Sequence, residues 1–76
     1  MPDNQSKRRI RYINPPTECD ICHGPFKNDC FYDARTVQGC WANMCMECFH
    51  NYGVGLGTGK GQEYQKEGID WYKTRG

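Results

Sequence analysis

Four cysteines in this chain are arranged in two pairs whose spacing suits metal binding. Cys19 and Cys22 form one Cys-x-x-Cys motif, and Cys45 and Cys48 form a second. Two thiolates spaced in this way can bind one side of an ion, and a second pair completes a tetrahedron that leaves no position open for water. The spacing therefore predicts one structural Zn²⁺ and no chemistry at the metal. Disulfides and iron are the alternative uses of such cysteines.

Two histidines and two further cysteines are possible additional participants. His23 and His50 lie close to the motifs in sequence, so either could replace a cysteine in a Cys₃His site. Cys30 and Cys40 fall outside the motifs, and we expect them to be reduced and to pack as small apolar residues. A disulfide between them is the alternative if the fold places them opposite one another.

Length and composition indicate why a metal is needed. The chain has 76 residues, of which 37% are hydrophobic and 25% charged, so a single domain with a small core is expected. Domains of this size commonly need a metal or disulfides for stability. No apolar run is long enough to span a membrane, and the first residues lack the apolar stretch of a secretory signal. We therefore expect a cytoplasmic protein without a membrane partner.

Charge is distributed unevenly along the chain, although the formal net charge is only +1. Residues 1–16 carry four basic side chains and one acidic side chain, whereas residues 17–76 carry six basic and eight acidic ones. This asymmetry predicts a basic arm on an acidic core, so the arm would supply most phosphate contacts if nucleic acid is the partner. The candidate nucleic-acid residues are Lys7, Arg8, Arg9 and Arg11, assisted by Lys60, Lys73 and Arg75.

The patterning divides the chain into three parts. Residues 1–16 are expected to form a flexible basic arm that ends at Pro15 and Pro16, with a short strand at Ile10 and Tyr12 as the alternative. Residues 17–53 are expected to form the zinc-binding core. Residues 54–76 are expected to form a glycine-rich strap and an aromatic, basic tail.

Within the core, the sequence predicts a small metal-bound α+β fold. Residues 31–35 and 40–43 are typical of a β-hairpin, and the second Cys-x-x-Cys motif begins a short helix. Asn43 is the predicted N-cap, and Gly53 is the predicted left-handed residue after the helix. Knuckle, hairpin and ligand-bearing helix follow the order of a treble clef, with a zinc ribbon as the alternative.

Glycine stands at every odd position from Gly53 to Gly61. This pattern is typical either of a flexible linker or of a strap that lies against a flat surface. It is not a phosphate-binding P-loop, because the required glycine and hydroxyl positions are occupied by Val54 and Gly61.

Catalytic interpretations find little support in the sequence. Nucleases of the HNH type need a histidine on the hairpin, and residues 31–45 contain none. Redox enzymes with Cys-x-x-Cys need a βαβ context, which the pattern of this sequence does not show. We therefore expect a binding protein and not an enzyme, and no small-molecule substrate.

From Cys19 to Tyr64 the chain resembles small zinc-ribbon proteins encoded by bacteriophages and prophages. The resemblance is carried by Trp-Ala-Asn-Met-Cys-Met-Glu-Cys at 41–48 and by Tyr-Gly-Val-Gly-Leu-Gly-Thr-Gly-Lys-Gly-Gln-Glu-Tyr at 52–64. It implies one Zn²⁺ bound by the four motif cysteines and a viral origin, which would place the protein in the host cytoplasm. Such families are mostly of unassigned activity. We therefore expect a nucleic-acid-binding or regulatory module, and the alternative is a protein-interaction module that binds a protein of the bacterial host.

Overall fold

The computed structural model describes residues 9–76. In this part of the chain, the secondary structure is a four-stranded antiparallel sheet with one short α-helix and a 3₁₀ turn at Lys27–Asp29. In chain order the elements are β1 (Cys30–Arg35), β2 (Trp41–Met44), α1 (Met46–Tyr52), β3 (Gly61–Glu67) and β4 (Asp70–Arg75). The strands lie in the order β2-β1-β3-β4. Within residues 9–76, no helix has the length and apolar character needed to cross a lipid bilayer.

Strands β1 and β2 form the hairpin that the sequence predicts, with bounds within one residue of the predicted ones. Arg35 opposes Trp41 at the turn end of the pair. Thr36 closes the turn, because its backbone N–H and its hydroxyl both donate to the carbonyl oxygen of Cys40, at 2.7 and 2.9 Å. Gly39 within the turn has a φ of 101°, which favours glycine.

Helix α1 begins at the second motif as predicted, but both predicted caps are wrong. Cys45 is the N-cap, and its sulfur accepts a hydrogen bond from a backbone N–H of the first turn. Asn43 lies instead in β2. Gly53 has an extended conformation and not a left-handed one, because it leaves the helix to form a bridge with Thr36. Glycine is needed there for space, since a Cβ atom would collide with the ring of Phe49.

The second hairpin, formed by β3 and β4, is not among the elements that the sequence predicts within residues 54–76. Its turn contains Gly68, with a φ of 65°. Within these two strands, Gly61, Glu63, Tyr64 and Trp71 are buried. The hydrophobic alternation that identifies a strand is therefore weak, because most of the other side chains are polar and exposed.

The glycine segment that precedes β3 is folded back on itself. Gly55, Gly57 and Gly59 have φ values of 141°, 120° and 78°, so the regular extended strap does not form. Gly57 forms a bridge with Gly61, the first residue of β3. Leu56 points inward and packs against the buried cluster beneath α1. The segment thus places β3 beside β1.

One face of the sheet packs against the helix and the motif cysteines. Cys30, Tyr32 and Ala34 alternate along β1 and are buried together with Met44 of β2 and three of the four motif cysteines. The ring of Phe49 in α1 stacks on Tyr32 with 4.1 Å between centroids. Apolar burial on this face is modest in area, as expected for so short a chain.

The opposite face carries an aromatic cluster. Phe31, Tyr64 and Trp71 are buried on three neighbouring strands. Tyr12 covers them from the N-terminal segment, with its ring 4.9 Å from that of Tyr64, and Phe26 stacks on Phe31 at 5.1 Å. Because aromatic rings bury large areas, this cluster gives the sheet a second apolar layer.

Residues 10–12 extend the sheet beyond β4. The N–H of Tyr12 donates to the carbonyl oxygen of Trp71, and the N–H of Lys73 donates to the carbonyl oxygen of Ile10, both at 2.8 Å. The short strand that the alternation of Ile10 and Tyr12 offered as an alternative is thus present as an isolated bridge between Arg11 and Tyr72.

A buried carboxylate joins three strands of the sheet. Glu63 of β3 accepts hydrogen bonds from the hydroxyls of Tyr32 at 2.7 Å and Thr74 at 2.8 Å. The guanidinium of Arg75 donates two more, at 3.0 and 2.6 Å. These bonds, chiefly those from Arg75, lower the pKa of Glu63 to about 2. Its ionised form therefore stabilises the fold above the ordinary pKa of 4.5, and this contribution is lost as the pH falls toward 2.

We predict that Glu63→Gln lowers the free energy of unfolding by about 1–3 kcal/mol, because the amide leaves buried donors imperfectly paired. Glu67→Gln is the matched control, since Glu67 lies on the same strand and also binds an arginine but is exposed. Urea unfolding at neutral pH with excess metal would measure both. Equal loss in the two variants would contradict a special role for the buried carboxylate.

Candidate metal centre

The four motif cysteines converge at one point beside the sheet. Cys19 and Cys22 lie in the loop before β1, whereas Cys45 and Cys48 lie at the start of α1. All four sulfur atoms lie within 4.8 Å of one another, and the sulfurs of Cys22 and Cys45 are 3.8 Å apart. A tetrahedron with metal–sulfur bonds of about 2.3 Å has edges of about 3.8 Å. The cluster therefore has the dimensions needed to bind one metal ion.

Backbone N–H groups point at three of the sulfurs. Ile21 donates to Cys19 and Gly24 donates to Cys22, each at 3.4 Å. The N–H of Cys48 donates to Cys45 at 3.5 Å. Such bonds orient metal ligands and favour thiolate over thiol. This donor set is the one expected around ligating sulfurs, so the residues present fit a thiolate-bound metal.

The tight turn of the first motif is made by an unexpected residue. His23 has a φ of 61°, whereas Gly24 does not adopt a left-handed conformation. The N–H of His23 donates to the carbonyl oxygen of Cys19, and the N–H of Cys19 donates to the carbonyl oxygen of Gly24, both at 2.9 Å. These two bonds close the loop and leave the N–H of Gly24 directed at the sulfur of Cys22.

A carboxylate attaches this loop to the sheet. Asp20 donates its backbone N–H to the carbonyl oxygen of Asn43 and accepts the N–H of Asn43 on its side chain, both at 2.8 Å. The first motif is thereby held against the outer edge of β2, the strand that leads to Cys45. The sequence interpretation missed this residue. A signal for it was present in the sequence, because Asp20 is a short acidic residue between two cysteines and such side chains readily accept hydrogen bonds from backbone N–H groups.

Ionisation of the thiols is uneven. Burial raises the pKa of Cys19, but backbone N–H groups from Cys22, Cys45 and Ile21 outweigh it and lower the pKa to about 6. Burial and neighbouring thiols raise the pKa of Cys48. Four sulfurs at this separation cannot all carry negative charge unless a cation lies among them. A bound cation removes this repulsion and is required for the fully ionised cluster.

Cys22 is the accessible member of the cluster. Cys19, Cys45 and Cys48 are buried, whereas Cys22 is exposed. It borders a depression of about 520 Å³ that Met46 and His50 also line. Ligand exchange at the metal would therefore begin from this side.

The remaining cysteines and histidines lie outside the cluster. Cys30 is buried at the start of β1, on the face of the sheet that packs against α1, and Cys40 is exposed at the turn of the first hairpin. Neither cysteine forms a disulfide. In the described residues, the cluster contains no histidine. His23 contacts Glu18 through Nδ1 at 2.8 Å, and His50 is exposed in the last turn of α1.

The predicted nucleic-acid residues are dispersed. Lys7 and Arg8 lie outside the described residues. Arg9 forms a bidentate ion pair with Glu67 at 2.7 and 2.8 Å. The charge of Arg11 is also partly neutralised, because its guanidinium lies 3.3 Å from Asp70.

Lys60 is exposed just before β3, and its carbonyl oxygen accepts the N–H of Arg35. Lys73 is half-buried in β4, and Arg75 binds the buried Glu63.

Comparison of the chain with protein families, with curated proteins and with solved structures finds no match. The assignment of this site as a metal centre therefore rests on the geometry of the cysteine cluster.

We predict that Cys45→Ser removes most bound metal, because an alcohol is a much poorer ligand than a thiolate and Cys45 also caps α1. Cys40→Ser is the matched control, since that thiol is exposed and lies outside the cluster. Metal analysis and far-UV circular dichroism would measure both variants. Metal content that falls equally in both, or in neither, would contradict this assignment of ligands.

Proposed function

We propose that the protein is a small binding module built around one structural Zn²⁺. The observation that carries this proposal is the convergence of four sulfurs within 4.8 Å. Zinc is the metal proposed because four thiolates in a tetrahedron suit it, and because it needs no redox partner. The closed set of four ligands leaves no position for water, so we propose no catalysis at the metal.

The zinc would join the first motif loop to the helix by direct bonds. One pair of ligands lies in a loop, and the other begins a helix of seven residues, Met46–Tyr52. Binding of structural zinc supplies about 10–16 kcal/mol in finger peptides, which is comparable to the whole stability of a small domain. The order of loop, hairpin and ligand-bearing helix supports a treble clef, with β3 and β4 added to the hairpin.

We propose nucleic acid as the partner. Support comes from cations that the acidic residues do not neutralise. Among residues 9–76, five basic side chains make no ion pair with another described residue. They are Lys27, Arg35, Lys60, Lys66 and Lys73. Lys7 and Arg8 add two positive charges in the sequence, whereas the ion pairs of Arg9 and Arg11 reduce what the arm can offer to phosphate.

We predict salt-dependent binding to a single-stranded oligonucleotide, because release of counterions from phosphates accompanies such binding. Replacement of Lys7 and Arg8 by glutamine should weaken it, whereas Arg9→Gln should weaken it less, since Arg9 is already paired. Fluorescence anisotropy over a range of salt concentrations would measure these effects. Binding that is absent at low salt would rule out nucleic acid.

A protein partner is the second candidate, and a specific surface supports it. Ile21, Val37 and Tyr52 are exposed and line one depression of about 290 Å³ at the turn end of the first hairpin. Apolar side chains that share an exposed concave surface are typical of protein interaction sites. If the protein acts in a bacterium, a host protein with an apolar side chain at its surface would fit this depression.

For this second candidate, Val37→Asp should abolish capture of a specific protein from a bacterial lysate. Ile69→Asp is the control, because Ile69 is 88% exposed but lies in the distant β3–β4 turn. Loss of the same captured protein in both variants would argue against the depression.

The bacteriophage origin implied by the resemblance remains a prediction, because no relative supports it. A reducing compartment such as the cytoplasm is proposed because metal-bound thiolates persist there.

A further inference from the structure

Three exposed residues, one aromatic and two cationic, are neighbours at one end of the sheet, where β2 begins, β1 ends and β3 is about to begin. Trp41 of β2 opposes Arg35 of β1, and the N–H of Arg35 donates to the carbonyl oxygen of Lys60 at 2.8 Å. All three residues are exposed. We call these three residues the Trp41 row. An aromatic residue thus stands beside two cations at the same level of the sheet.

The two cations in this row have no internal explanation. Arg35 ends β1 and Lys60 directly precedes β3, and the backbone hydrogen bond between them makes two like-charged residues neighbours, which is unfavourable. Neither forms an ion pair with another residue in 9–76. An arrangement that costs stability in the isolated protein becomes favourable when an anion lies between the charges.

Trp41 is likewise unpartnered. It is 48% exposed, whereas Trp71 of β4 is only 9% exposed because Phe26 and Phe31 pack against it. In the described structure, no aromatic ring or cation stacks on Trp41. A large planar side chain that is left half open offers a surface on which another ring can stack.

The neighbouring level of the sheet limits where an anion can lie. There Asn43, Asp33 and Gln62 oppose one another on the three strands. Asp33 carries a carboxylate, and Tyr12 approaches the same level by directing its hydroxyl toward Asn43. Negative charge is therefore favoured at the Trp41 row and disfavoured at the next level.

We propose that the Trp41 row binds single-stranded nucleic acid, with one base stacked on Trp41 and adjacent phosphates contacted by Arg35 and Lys60. This proposal rests on nucleic acid being the partner. An aromatic side chain with flanking cations is the combination that sequence-tolerant single-strand binders use, because every base has a flat face and every linkage a charge. The row spans two inter-strand spacings, or about 10 Å, which suits a contact with a few nucleotides.

A duplex fits this surface less well. Stacking on Trp41 requires a base whose face is exposed, and paired bases inside a duplex are already stacked on their neighbours. The row therefore selects unpaired nucleotides through the ring and not through recognition of base edges.

The test uses the full zinc-loaded chain and fluorescein-labelled oligothymidylate or oligouridylate, with binding followed by anisotropy. Trp41→Ala should weaken binding about 5- to 150-fold, the range expected for loss of one stacked base, and Trp41→Phe should retain part of the affinity. The double variant Arg35→Gln/Lys60→Gln should reduce the slope of log K against log salt by about 1.4, or about 0.7 for each phosphate contact on a single strand.

The matched control is Lys27→Gln/Lys66→Gln, which removes two unpaired cations outside the row. It should lower affinity less than the row variant does. Zinc content and circular dichroism would verify that every variant is folded. A duplex of the same length should bind more weakly than the single strand and should not distinguish Trp41→Ala from the wild type.

The outcomes separate this inference from the function on which it rests. Loss of affinity in the row variants, with affinity retained in the control, supports the row. Wild-type binding that the row variants leave unchanged overturns the row and leaves nucleic-acid binding in place. If the wild-type chain binds neither oligonucleotide at low salt, both proposals fail.

Discussion

Convergence of the four cysteine sulfurs is the constraint on which the rest of the structure depends. Two of them lie in an irregular loop and two at the start of α1, so their meeting point determines how the loop, the hairpin and the helix are placed. Thiols this close repel one another once ionised, and backbone N–H groups offset only part of that repulsion. A cation among the sulfurs converts this repulsion into attraction, so a bound metal would stabilise the arrangement of the loop, the hairpin and the helix.

Strands β3 and β4 depend on other interactions, because they contain none of the four motif cysteines. Glu63 joins β1, β3 and β4 through the hydroxyls of Tyr32 and Thr74 and the guanidinium of Arg75. On the opposite face, aromatic rings cover the strands, and residues 10–12 add backbone hydrogen bonds at the edge of β4. The protein thus combines a metal-centred half with a half stabilised by a buried carboxylate and aromatic packing.

The distribution of ion pairs changes how the charges of the chain should be interpreted. Arg9 binds Glu67 through both guanidinium nitrogens and lies 4.2 Å above the ring of Tyr72, so its charge serves the fold. Arg35 and Lys60, which a backbone hydrogen bond joins, instead have no acidic partner among the described residues. Two of the five cations that make no ion pair among the described residues therefore lie near an exposed tryptophan.

By itself, the sequence indicated which four cysteines cluster, the first hairpin and the helix at the second motif, because each has a local signature in spacing or alternation. Local signals were less reliable at the helix ends, where Cys45 replaced Asn43 as the cap and Gly53 became extended to pair with Thr36. Only the tertiary structure decided that residues 61–75 form two strands, since their burial is sparse and depends on distant partners. The ion pair between Arg9 and Glu67 and the backbone hydrogen bond between Arg35 and Lys60 likewise depend on the tertiary structure, because each joins residues far apart in the chain.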